Sequence, residues 1–136
     1  MSTSNPKFDL LVQEYAKMTT GKTVDTAAGG AVTYTFDKAT VLAQSGVNVG
    51  LPDDVVLLCE MAESHSPPNH LLKVNGDFAL TGGGYIGEID RLEKYYYFRH
   101  VAVPNSPYVF HKELLMTVDY VSRIAERLQE WAAGSS

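Results

Sequence analysis

The stretch that decides the fold runs from Leu71 to Trp131: LLKVNGDFALTGGGYIGEIDRLEKYYYFRHVAVPNSPYVFHKELLMTVDYVSRIAERLQEW. It reads as a short helix, a glycine turn, two apolar strands and one long amphipathic helix. Leu71, Leu72 and Val74 give the short helix its apolar side, and Gly76 stops it. Thr81-Gly82-Gly83-Gly84 leads into a strand from Tyr85 to Ile89. Asp90 to Glu93 turns again, and Lys94 to Val103 forms the last strand. Pro104-Asn105-Ser106-Pro107 breaks the chain. Beyond it Leu114, Val118, Val121, Ala125, Leu128 and Ala132 line one side of a helix, widened by Leu115, Ile124 and Trp131. At 1.5 Å per residue this helix is about 30 Å long, enough to cross a sheet.

Working back toward the N-terminus, a first helix is marked by Asn5 as cap, Pro6 in the first turn and Asp9 at the positive end of the dipole. Phe8, Leu11, Val12 and Tyr15 fall at i, i+3, i+4 and i+7, and Gly21 is the expected stop. Three strands follow. Val32, Tyr34 and Phe36 alternate with polar or small residues. Thr40 to Val49 is interrupted at Ser45-Gly46 by a bulge or tight bend, and Val55 to Ala62 is apolar on both sides. Ser66 caps the second helix. The order is α-β-β-β-α-β-β-α, an α+β domain with an antiparallel sheet and three helices.

The strands carry apolar residues on both faces. In the last one Tyr95, Tyr97, Val101 and Val103 point one way, and Tyr96, Phe98 and Ala102 the other. Val55, Leu57, Cys59 and Met61 oppose Val56, Leu58 and Ala62 in the same manner. Helices on an antiparallel sheet usually cover one face. A second covering is therefore expected, from a twin subunit or a partner. A curled sheet that buries part of both faces is the alternative.

At 136 residues the chain suits a single domain spanning residues 1–136, with an ordered core of about 6–132. A formal charge of −5 argues against nucleic acid and anionic membrane surfaces. No apolar run approaches the roughly 20 residues that cross a bilayer, and the start MSTSNPKF lacks the apolar core of a signal peptide. With Cys59 as the sole cysteine no intrachain disulfide forms, which fits a reducing cytoplasm.

Candidate chemistry is sparse. Ala16 to Thr23, AKMTTGKT, has the look of a relaxed phosphate loop, but a helix precedes it where a strand is required. Gly82-Gly83-Gly84-Tyr85-Ile86-Gly87 leads into a strand, whereas the dinucleotide fingerprint opens a helix. It reads as a turn needing positive φ with a close backbone approach at Gly87. His65 and His70 are separated by Pro67-Pro68 and lack zinc spacing, while His100 and His111 have no partner at motif distance. Cys59 sits among Leu57, Leu58 and Met61 with nothing to stabilise a thiolate. The residues therefore assign no catalytic group, no cofactor and no metal. The chain reads as one that holds something rather than transforms it.

The element order resembles the class I chaperones of bacterial type III secretion, the Tir-chaperone-like family, over roughly Phe8 to Trp131. The features that carry the resemblance are Leu71-Leu72-x-x-Asn75 and Gly82-Gly83-Gly84-x-x-Gly87. To these are added Arg99-His100-Val101-Ala102-Val103 at the end of the fifth strand and the closing helix with Trp131. The Ser66-Pro67-Pro68 start of helix two and the aromatic run Tyr95 to Phe98 depart from the pattern. The resemblance implies a bacterial cytoplasmic homodimer that binds a segment near the N-terminus of an effector and keeps it soluble and non-globular for secretion, with the secretion ATPase as a further partner. It places effector contacts at Phe8, Leu11, Val12, Tyr15, Val32, Tyr34, Phe36 and Val47. The dimer contact falls at Leu71, Leu72, Val74, Tyr85 and Ile86. Two other readings stand beside it: a small α+β enzyme with a cavity between helix and sheet, where His100 or a carboxylate does acid–base work and which a pocket lined by one histidine and one carboxylate would favour, and a dimeric adaptor for a folded partner.

Overall fold

The computed structural model describes residues 6–20, 31–36, 39–61, 68–89 and 94–134. Helix α1 spans Pro6–Thr20, and strands β1 (Val32–Phe36), β2 (Ala39–Ser45) and β3 (Asp54–Glu60) follow. Helix α2 covers Pro68–Asn75 and α3 Phe78–Thr81. Strands β4 (Tyr85–Ile89) and β5 (Lys94–Ala102) lead into α4 (Pro107–Gly134). The strands form one sheet in the order β1-β2-β3-β5-β4 with every neighbour antiparallel. The expected α+β class and antiparallel sheet are therefore what the chain builds. The expected cap Asn5, the stop at Gly21, His65, the cap Ser66 and the turn from Asp90 to Glu93 lie outside the described residues.

Three details differ from the sequence reading. A short helix, α3, forms because the Asp77 carboxylate accepts the Leu80 N–H at 3.1 Å, and Gly82 closes it in the left-handed region at φ 61°. At Ser45-Gly46 the chain enters a 3-10 turn, Gly46–Val49, capped by Ser45 and ended by Gly50 at φ 80°. A Cβ at Gly46 would run into Leu51, so the turn is built around that glycine. The last helix has 28 residues and is about 42 Å long, not 30. It starts at Pro107 because the Ser106 hydroxyl caps the Val109 N–H at 3.3 Å and proline fits a first helical position.

Two long helices cover one face of the sheet. On that face the row Tyr34–Val41–Cys59–Tyr97–Ile86 runs across all five strands, beside Val32–Ala43–Leu57–Arg99. Helix α4 packs on β2 and β3, and α1 packs on α4. Phe8, Leu11, Val12 and Tyr15 of α1 are buried with Phe110, Leu114, Ile124 and Leu128 of α4 in the same core. Burying each of the apolar side chains contributes roughly 1.5–3 kcal/mol. Trp131 near the end of α4 meets His70 of α2 edge-on at 5.5 Å, with Lys73 and Arg127 over its ring. That contact holds the short α2 against the long helix.

Candidate functional site: the opposite face of the sheet

The antiparallel register puts a second row on the opposite face: Thr33 faces Leu42, Leu42 faces Leu58, Leu58 faces Phe98, and Phe98 faces Tyr85. With strands about 4.8 Å apart, this row is about 19 Å long. Val56 and Tyr96 flank it, and Val49 and Leu51 rise beside it from the 3-10 turn. None of the described side chains on this face is buried, in contrast to the tightly closed opposite face. Tyr85 stacks flat on Phe98, with ring centroids 5.3 Å apart and planes 13° from parallel, and Tyr96 leans on Phe98 at 6.4 Å. Gly87 makes room for these rings, since a Cβ there would come within 3.1 Å of Phe98. A hollow of about 270 Å³ opens between Val49, Leu51, Val56, Leu58, Tyr85 and Phe98. It is the size of one large side chain rather than of a drug-sized ligand.

The rim is polar. His100 Nδ1 lies 2.8 Å from the Asp54 carboxylate, with the imidazole half exposed beside the same hollow. A histidine with a carboxylate behind it is half of an acid–base arrangement. The other described residues that line the hollow are Gln44, Arg99 (whose guanidinium turns to the covered face), the aliphatic groups and the two rings, with no serine, cysteine or lysine among them. The pair forms a polar border to the apolar strip. Among the described residues no three His, Cys, Asp or Glu side chains converge on a metal position. Burial pushes the Cys59 thiol up to about 11, and Glu60 adds to the shift, so the thiolate nucleophile is withheld.

The residues expected to bind an effector fall into three settings. Phe8, Leu11, Val12 and Tyr15 lie in the protomer core, where a partner reaches them only if α1 moves. Val32, Tyr34 and Phe36 sit half-buried on the covered side of the edge strand β1. Tyr34 meets Tyr15 and Phe110 edge-on at 5.1 and 5.7 Å, and burial together with Tyr15 raises its phenol well above the ordinary range. The Tyr15 hydroxyl in turn shares a 2.7 Å hydrogen bond with His111 Nδ1. Val47 lines a separate open groove of about 590 Å³ with Pro6, Pro52 and Val103. Of the residues expected at a dimer contact, Leu71, Val74 and Ile86 are buried within the protomer. Leu72 is 71% exposed and Tyr85 51%.

Leu42, Leu58, Phe98 and Tyr96 are brought together by the register alone, which sequence reading did not assemble. Their signal was the two-sided apolar pattern of β3 and β5.

This architecture is the fold of type III secretion chaperones of class I. No family model matches the sequence, and no curated protein matches it. Among solved structures, a chain of the HopA1–SchA chaperone–effector complex superposes with a TM-score of 0.74 at 12% identity, over 93% of this chain and 98% of that one. A chain of the ExsC–ExsE complex gives 0.72 at 13% identity, over 91% and 95%. The structure of the Yersinia pestis type III secretion chaperone SycH with a stable fragment of YscM2 gives 0.61 at 16% identity, over 86% and 98%. At such identities the likeness is one of fold. Among the described residues no helix is long and apolar enough to cross a membrane.

Proposed function

We propose that the chain is a cytoplasmic type III secretion chaperone of a bacterium, holding a segment near the N-terminus of an effector in a non-globular state for delivery to the secretion apparatus. The observation that carries this reading is the apolar row Leu42–Leu58–Phe98–Tyr85 on a sheet face where none of the described side chains is buried. Large exposed apolar patches mark interaction sites. The chaperone–effector complexes that share the fold support the same class of partner.

Ordering an extended client costs about 1–2 kcal/mol per residue in backbone entropy. Burial returns roughly 25 cal/mol per Å² of apolar surface, so the contact has to be long and apolar. A strip about 19 Å across, given the usual strand spacing, meets that demand if the client continues past it. The client's path continues to the β1 side, where Tyr34 and Phe36 are half-buried over the α1 residues Phe8, Leu11, Val12 and Tyr15, and to Val47 in its groove. Self-association uses α2 and β4, with Leu72 and Tyr85 as the side chains projecting outward over buried Leu71, Val74 and Ile86. The secretion ATPase is the further partner.

The test is to recover the tagged chain from its native host. The expected result is a secreted protein whose N-terminal segment alone binds, with a strongly negative heat-capacity change. Sedimentation equilibrium of the free protein should show a dimer, and Leu72→Asp should convert it to monomer or aggregate. A chain that is monomeric and captures only the folded domains of its partners would defeat the proposal.

A further inference from the structure

A five-stranded sheet has two edges, and a strand edge is a template for another strand. Here the ends of the sheet are β1 and β4. Backbone groups of β4 alternate between facing β5 and facing outward. Ile86 faces outward, because both of its groups bond away from β5: its N–H donates to Asn75 Oδ1 at 2.6 Å, and its carbonyl accepts from Asn75 Nδ2 at 3.1 Å. By the same alternation Gly84 and Glu88 face outward too. The Gly84 N–H is already taken by the Thr81 carbonyl at 3.1 Å.

The Asn75 amide thus presents one donor and one acceptor to Ile86, the pair that an added antiparallel strand would present. It does so from the last residue of α2, which buried Leu71 and Val74 anchor to the core. Among the described residues, the Glu88 backbone is the outward pair left on the strand.

We infer that Asn75 is a strand surrogate that determines pairing specificity: it closes the β4 edge, so that two copies of this chain do not join β4 to β4. Self-association is thereby confined to side-chain contacts. One consequence rests on the proposed chaperone function: an extended client pairs its backbone at β1 and not at β4. The test needs no client, so its failure is separate from any failure of that reading.

Asn75→Ala should raise the exchange rate of the Ile86 amide about tenfold, the effect of one lost hydrogen bond of ordinary worth. Sedimentation velocity should then show concentration-dependent species larger than those of the unsubstituted protein. Adding Glu88→Pro should abolish the larger species. Proline at an outward-facing edge position spares the bonds to β5 and removes the remaining donor for an incoming strand. Should Asn75→Ala not fold, Asn75→Asp carries the sedimentation comparison alone, since it loses the donor to the Ile86 carbonyl while the Ile86 N–H keeps its acceptor; the absence of larger species, or their survival with Glu88→Pro, would then overturn the inference. Fast exchange at Ile86 without larger species would overturn the inference. So would larger species that Glu88→Pro leaves in place, because a merely destabilised fold would not be rescued by a proline.

Discussion

The Arg99 guanidinium meets the Glu113 carboxylate at 2.6 Å, joining β5 to α4 inside the covered face. Arg99 is 9% exposed and the Glu113 side chain 18%. The same guanidinium reaches the Thr117 hydroxyl at 3.4 Å and lies over the Tyr120 ring at 5.6 Å. A charge this far from water is tolerated because it is paired. Glu113→Ala leaves Arg99 uncompensated and should cost about 3 kcal/mol, the lower end for broken buried pairs because Glu113 keeps some solvent. Urea denaturation reads this directly. A loss no larger than that of an exposed ion pair, about 0–1 kcal/mol, would show that the clamp is ornamental.

Gly82 and Gly83 both adopt positive φ, at 61° and 89°, yet they are not equivalent. A Cβ on Gly82 would strike the Tyr120 ring, whereas one on Gly83 meets nothing within 4 Å. Gly83→Ala should cost about 1–2 kcal/mol from the left-handed backbone alone. Gly82→Ala adds a collision and should cost clearly more. Thermal melts of the two variants check the order, and equal losses would contradict the packing of α4 on this turn.

Much of the architecture was legible because its signals are local. The period of two in β3 and β5 put Leu57 and Cys59 on one face and Val56 and Leu58 on the other, and the register keeps that split. The stripe Phe8, Leu11, Val12, Tyr15 marked a helix, but the same period belongs to a core helix and to a docking helix. Only the packing against Phe110 and Leu114 places it in the core. Helix α3, at four residues, is too short to show any period, and its one sequence signal is the cap Asp77. The Asn75–Ile86 and Arg99–Glu113 pairs join residues on different elements. Those are facts of topology that neither propensity nor spacing encodes. In α4 the exposed Tyr108 and Val109 blurred the apolar stripe, which hid the first two turns.

Cys59 supplies a pH test. Its thiol is pushed up to about 11 by burial, from an ordinary value of 9.0. Between these values the unfolded chain releases the proton and the folded one keeps it. Stability therefore falls as pH rises through that window, by about 2–3 kcal/mol in total. The Tyr97 phenol, pushed up to about 12 mainly by burial, continues the decline above pH 10. Denaturation of Cys59→Ala between pH 9 and pH 10 should show a flatter slope than the unsubstituted protein. An identical slope would mean that the thiol titrates alike in both states.

In the proposed complex a client segment lies on the sheet face opposite the helices. Methyl-resolved NMR can follow the protein as the cognate N-terminal segment is added. Shifts should concentrate at Leu42, Val49, Val56 and Leu58, the methyl groups around the Phe98–Tyr85 stack, with Leu57, Leu114 and Leu128 in the core scarcely moved. Binding that leaves those four unperturbed and instead shifts Leu10 and Leu115, which are exposed on the helices, would contradict this placement.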